Sequence, residues 1–174
     1  MDILAAPSIV MTGMHLDTVV PRWQFRERHA THVAAAPEAV FAAIRAIRAE
    51  DILFFRTMVA IRCGFRRGKE SILNPPKDTP ILDVATRTGF RYLANDPPRE
   101  VVIGINVANG VLAAMNFHVE PDASGSMLST ETRVFSETRR GMYRFGAYWF
   151  VIRMGSGFIR RMWLRAIRIR AERV

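Results

Sequence analysis

One cysteine, two lysines and no long apolar run set the first limits on this chain. With Cys63 alone, no disulfide can close within it, which suits a reducing compartment such as the cytoplasm. No His or Asp stands beside Cys63, so a small buried thiol is its ordinary reading. No stretch of about 18 or more uncharged apolar residues occurs. The nearest to one, MYRFGAYWFVIRMGSGF, contains Arg144 and Arg153, and no membrane span is expected. The start of the chain lacks a basic segment and carries Asp2 and Pro7, which argues against a secretory signal. Residues 1–14 read as a loose extension, with Met11 and Met14 as alternative starts, and residues 15–174 as a single domain.

Motif chemistry is equally sparse. His29 and His32 are three apart on an expected strand and so point to opposite faces, and His15 lies at the edge of the extension. No metal and no cofactor are expected. GFRRGK has three residues between Gly64 and Gly68 where a phosphate loop needs four, and Glu70 follows its Lys69. GSGF is not the Gly-x-Ser-x-Gly of a nucleophile elbow. Neither a helix-turn-helix pattern nor aromatic–basic interleaving on a strand platform is present, and no nucleic-acid partner is expected.

What is there is a globular composition. Of 174 residues 49% are hydrophobic and 24% charged, enough for one domain with a real core. The net charge of +9 is concentrated: from Thr138 onward ten arginines face a single acid, Glu172, while the rest of the chain is balanced.

Periodicity gives the element order. WQFRERHATHVAA alternates as a first strand. APEAVFAAIRAI opens a helix, with Pro37 and Glu38 in its first turn and Val40, Phe41, Ile44 and Ile47 as its apolar stripe. DILFFRTMVAIR reads as a second helical piece, followed by a loop rich in Gly, Pro and charge. TRTGFRYLAND, REVVIGINV, GVLAAMNFHVE and GSMLSTETRVFS then read as an antiparallel meander. From Thr138 the pattern is a long helix, with a bend or break expected at Gly155-Ser156-Gly157. The fold class is α+β, with helices on one side of a curved sheet.

These segments resemble the START-like, or SRPBCC, superfamily. FRERHATHVAAAPEAVFAAIRAI is similar to its opening strand and Ala-Pro-x-x-Val-Phe helix start. MNFHV, LSTETRV, FGAYWFVIR and GSGFIRRMWLRAI resemble an uncharacterised bacterial subgroup of it. The resemblance implies a helix-grip fold, in which a curved antiparallel sheet wraps a long C-terminal helix around an apolar cavity. It also implies small apolar ligands such as lipids, polyketides or aromatics. The chain departs from the pattern between Val107 and Val111, where only ANG connects two strands, so five or six strands are expected where the superfamily has seven.

The candidate site follows from strand faces. Met115, Phe117 and Val119 share a face with Leu128, Thr130, Thr132 and Val134. Asn116, His118, Ser129, Glu131 and Arg133 share the other, which is expected to face solvent or, alternatively, to form the polar wall of a cavity. The ligand-lining candidates are Phe145, Tyr148, Trp149 and Ile152 on the helix, with Phe117 and Met115 on the sheet. Tyr143, Phe150 and Met154 lie on a second apolar side of that helix, for which burial by the chain's own sheet is the ordinary reading and cavity lining or a homodimer contact the alternatives. Toward its end Phe158, Ile159, Met162, Ala166 and Ile169 form the expected apolar face and Arg161, Arg165, Arg168 and Glu172 the polar one. A solvated face is the preferred reading of those arginines over contact with an anionic membrane. The expected function is therefore non-catalytic binding of a small apolar molecule. The alternatives are a polyketide cyclase- or aromatase-like enzyme and a membrane-surface or protein-interaction module.

Overall fold

The computed structural model describes residues 13–55, 57, 75–107 and 110–173, leaving out the side chains of residues 144, 147, 148 and 151–154. Five strands form one antiparallel sheet: β1 (Phe25–Val33), β2 (Arg91–Asp96), β3 (Glu100–Val107), β4 (Val111–Asp122) and β5 (Gly125–Ser136), in the order β1-β5-β4-β3-β2. The sheet is open, with β1 and β2 as its edges. Strands β2 to β5 are the expected meander, and β1 joins it beside β5, Phe25 opposite Val134 and Val33 opposite Ser126. At the β4–β5 turn Gly125 has φ +147°, and a Cβ there would meet the Val33 carbonyl oxygen at 2.2 Å. Only glycine closes that turn against β1.

Among the described residues four α-helices accompany the sheet: α1 (His15–Val19), α2 (Pro37–Ala46), α3 (Ile81–Arg87) and α4 (Arg139–Ala171). Helix α2 begins as the sequence indicates, with Pro37 and Glu38 in its first turn, and buries Val40, Phe41 and Ile44. Helix α3 falls on residues 81–85, to which the sequence pattern assigns no element, and on Thr86 and Arg87, which read as the start of a strand. Most of the second helical piece expected over residues 51–62, the GFRRGK segment and Cys63 lie outside the described residues. Helix α4 is capped by Thr138, whose hydroxyl accepts from Gly141 N at 3.0 Å, and runs unbroken through Gly155-Ser156-Gly157.

The expected helix-grip arrangement is met. Helices α2 and α4 cover one face of the sheet, and the main core lies between them. It joins Val40, Phe41 and Ile44 of α2 and Ile81 and Leu82 of α3 to Val101, Ile103, Phe117 and Leu128 of the sheet and Trp163, Leu164 and Ile167 of α4. The buried stripe of α4 is thus shifted from the expected one: Ile159, Met162 and Ala166 pack in the core as expected, but Trp163, Leu164 and Ile167 are also inside and Phe158 is 37% exposed. A second, smaller core of Leu16, Val20, Val102 and Ala114 lies on the opposite face of the sheet, beneath α1.

Candidate functional site

The register sorts the two sheet faces as alternation requires. Met115 lies opposite Thr132, Phe117 opposite Thr130 and Val119 opposite Leu128, all on the α4 side, while Asn116 lies opposite Glu131 and His118 opposite Ser129 on the other. The second set does not face solvent. Asn116, Glu131, Arg133 and His118 retain 1%, 1%, 2% and 5% of their exposure. Helix α1 covers much of this face, so the polar residues hold the N-terminal segment rather than line the space beneath α4.

The chemistry of that hold is a clasp on both ends of α1. Glu100 accepts from the backbone N–H of His15 and Leu16, two donors that a helix start leaves unpaired. Arg133 donates to the carbonyl of Val20, just past the helix end, at 3.0 Å and to Oδ1 of Asp17, within the helix, at 2.6 Å. An anion thus stands at the positive end of the helix and a cation at the negative end. Glu131 anchors the cation: it accepts from Arg133 Nε at 2.6 Å and from Arg26 Nε at 2.7 Å. Burial alone would raise the Glu131 carboxyl, but the hydrogen bonds and charges of Arg26 and Arg133 hold it below its ordinary value. Asn116 joins the halves, donating to Glu100 at 2.6 Å and accepting from Glu131 N at 2.8 Å. The Trp23 ring covers the Arg133 guanidinium at 4.1 Å. His118 Nδ1 is buried 3.5 Å from Glu120 Oε1 without hydrogen-bond geometry.

The α4 side holds a second polar cluster, which the sequence patterns above do not single out. Phe25, Glu27, His29 and Thr31 of β1 share this face, Glu27 opposite Thr132 and His29 opposite Thr130. His29 Nε2 lies 2.9 Å from Glu27 Oε1, with both side chains nearly enclosed. Helix α4 crosses directly above them at Gly157, where a Cβ would stand 2.5 Å from Glu27 Oε1. From one turn further on, Arg160 reaches inward, donating to Thr130 Oγ1 at 2.9 Å and toward Met115 Sδ at 3.6 Å. The Thr130 hydroxyl donates in turn to the Asn116 carbonyl at 2.7 Å, so its lone pairs face Arg160. Among the described residues Arg160 has no carboxylate within ion-pair distance. Burial pulls its guanidinium down to about 10, against a weaker opposing pull from the Glu27 charge. Around it Glu27 Oε2, Thr132 Oγ1 and Trp163 Nε1 are buried without a hydrogen-bond partner among the described residues.

Of the expected lining residues, Phe145 and Trp149 stack with Phe25, with ring centroids 5.6 to 5.9 Å apart. Phe117 packs edge-on to Trp163 at 5.0 Å, and Met115 meets Arg160. The side chains of Tyr148 and Ile152 lie outside the described residues. Tyr143 and Phe150, on the second apolar side of α4, are 71% and 84% exposed. Two recesses of about 240 Å³ are formed by described residues, one by β2, β3 and β4 near Gly104 and one between β1 and α4; neither touches Phe145 or Trp149. Among the described residues no cluster of His, Cys, Asp and Glu could hold a metal, and no helix is long and apolar enough to cross a membrane.

Arg160, Glu27 and His29 left a trace in the sequence. Arg160 falls on the same helical stripe as Trp163, Leu164 and Ile167, and Glu27 and His29 alternate between Phe25 and Val33 on the face that must meet the core.

Several solved structures are similar to this chain. A protein from Mesorhizobium loti is 15% identical with a TM-score of 0.43, the match covering 82% of this chain and 96% of that one. A protein from Rhodobacter sphaeroides is 15% identical, TM-score 0.43, covering 86% and 93%. A Polyketide_cyc-like protein from Corynebacterium glutamicum is 15% identical, TM-score 0.41, covering 82% and 88%. No protein-family profile matches the chain. No curated protein matches it either. At these identities and scores the likenesses carry no argument about chemistry, which rests on the chain's own side chains.

Proposed function

We propose that this protein binds, without transforming it, a small and largely apolar molecule that carries one anionic group, held between the sheet and α4. The observation that carries the reading is Arg160. A guanidinium on the inner side of a helix, bonded among the described residues to a hydroxyl and a thioether alone, is expensive to keep unless something negative joins it. The unpartnered Glu27 Oε2, Thr132 Oγ1 and Trp163 Nε1 nearby add polar atoms that a ligand or its waters would satisfy. The aromatic cluster of Phe25, Phe145 and Trp149 supplies apolar surface on the same face.

The test uses anilinonaphthalene sulfonate, an apolar aromatic anion, with the full chain and its Arg160→Met variant. Fluorescence titration is expected to give binding weaker by about tenfold or more in the variant, the worth of a charge-assisted hydrogen bond. The variant is also expected to melt at an equal or higher temperature, because a buried cation without a counter-charge has been removed. Unchanged affinity would remove Arg160 from the binding reading. Mass spectrometry of molecules extracted from the natively purified protein identifies the ligand.

A second reading, a cyclase- or aromatase-like enzyme, draws on the Glu27–His29 pair. A carboxylate 2.9 Å from an imidazole orients it for proton transfer, and Arg160 would stabilise developing negative charge. His118, Glu131 and Arg133 are on the far side of the sheet and do not support it. A His29→Gln variant that binds the extracted molecule normally, with no substrate turnover in wild type, would retain the binding reading.

A further inference from the structure

At the edge of the grip, α4 and the edge strand β1 form a recess of about 240 Å³ lined by Ala30, Thr31, Arg161, Leu164, Arg165 and Arg168. The three arginines are four and three residues apart, so they stand on one side of the helix. Leu164 is buried and gives the recess an apolar floor. The opposite wall is the outer edge of β1, where among the described residues alternate backbone N–H groups have no strand to pair with.

The charge of this recess is uncompensated among the described residues. The two acids nearest in the helix's reach are engaged elsewhere. Glu172, one turn beyond Arg168, is turned away and accepts from Ala34 N at 3.0 Å. Asp51 pairs with Arg170 at 3.7 Å and accepts from Arg48 N at 2.8 Å. Among the described residues none of Arg161, Arg165 and Arg168 has an ion pair. A merely solvated face needs neither a recess nor a buried floor.

We propose that this recess is a binding site for a phosphate monoester group. Three planar guanidiniums around one hollow match a tetrahedral dianion, which each can grip through paired N–H donors, better than a single carboxylate. The hollow is smaller than the roughly 300–1,000 Å³ of a pocket for a whole drug-sized ligand. It therefore takes the charged group while the remainder of the molecule stays outside. The group can belong to a soluble metabolite or to a lipid head, and the chemistry of recognition is the same.

Two arms of one experiment separate these sources. Calorimetric titration of the full chain with phenyl phosphate tests the soluble one. Co-sedimentation with phosphatidylcholine vesicles, with and without phosphatidic acid, tests the lipid. Wild type is expected to bind one of them saturably at one site per chain. Arg165→Gln is expected to weaken that binding about tenfold, by loss of a charged hydrogen bond, and to flatten its salt dependence. Arg170→Gln, which removes an arginine already paired with Asp51, is expected to leave it unchanged. Saturable binding in the soluble arm assigns a phosphometabolite; binding in the vesicle arm alone, with the same arginine dependence, assigns a lipid head. Equal loss in Arg165→Gln and Arg170→Gln, or no saturable binding in either arm, overturns the proposal and leaves the three arginines as a solvated face. Matching thermal unfolding of the two variants ensures that folding is not what differs.

Discussion

Glu131 and Arg133 carry the most consequential charges in the molecule. Two residues apart on β5, they read in the sequence as a solvent-facing pair or as a cavity wall, and they are neither. Each is almost wholly buried and each serves a partner outside the pair: Arg26 for Glu131, and the end of α1 for Arg133. Glu131→Gln should therefore cost roughly 3 kcal/mol in denaturant unfolding, the lower end for a broken buried pair, since Arg133 keeps Asp17 and Arg26 is partly exposed. An exposed pair would have cost about 0–1 kcal/mol. The pH dependence has a definite sign. The folded state holds the Glu131 carboxyl below its ordinary 4.5, so it binds that proton more weakly than the unfolded chain does. The resulting stability is complete above the ordinary value and is lost as pH falls through the lowered one. Unfolding curves from neutral to about pH 3 should show a shallower acid-side decline in Glu131→Gln than in wild type, and parallel declines would refute the assignment.

At the level of elements, alternation sorted both sheet faces correctly but was silent on what lies above each. That limit is physical. Periodicity reports which side chains share a face, and a cover such as α1, five residues long, is too short to show a period of its own. Helix α3 escaped for a similar reason, being seven residues directly after Pro80 in a stretch dense with turn residues. The phase of α4 was misjudged because hydropathy puts every arginine outside, whereas Arg160 is inside. Gly155-Ser156-Gly157 suggested a break, yet the helix continues. Gly157 is there because Glu27 leaves no room for a Cβ. Gly157→Ala gains about 1 kcal/mol of helix propensity but overpacks a tight contact at about 1–3 kcal/mol. We expect a net loss of stability in thermal unfolding. Adding Glu27→Ala should restore it by clearing the contact, and a loss that persists in the double variant would point to another origin.

Taken whole, the molecule is a neutral body with a basic helix laid across it, and its ionisable groups fall into three districts. The clasp lies on one face of the sheet, the Glu27–His29–Arg160 cluster on the other, and the Arg161–Arg165–Arg168 recess at the edge. Each district has its own chemistry, and α4 contributes adjacent residues, 160 and 161, to two of them.

That adjacency has a consequence for how the chain can vary. Successive residues of an α-helix are turned by about 100°, since 3.6 residues make a turn. Removing one residue from α4 ahead of Gly157 would bring Arg161 into the place of Arg160 and move Arg160 into that of Ile159, while the overall charge and hydropathy stayed nearly the same. Length between Thr138 and Arg160 is therefore under tighter restraint than composition, and a lineage could swap many of these side chains more safely than gain or lose a single one.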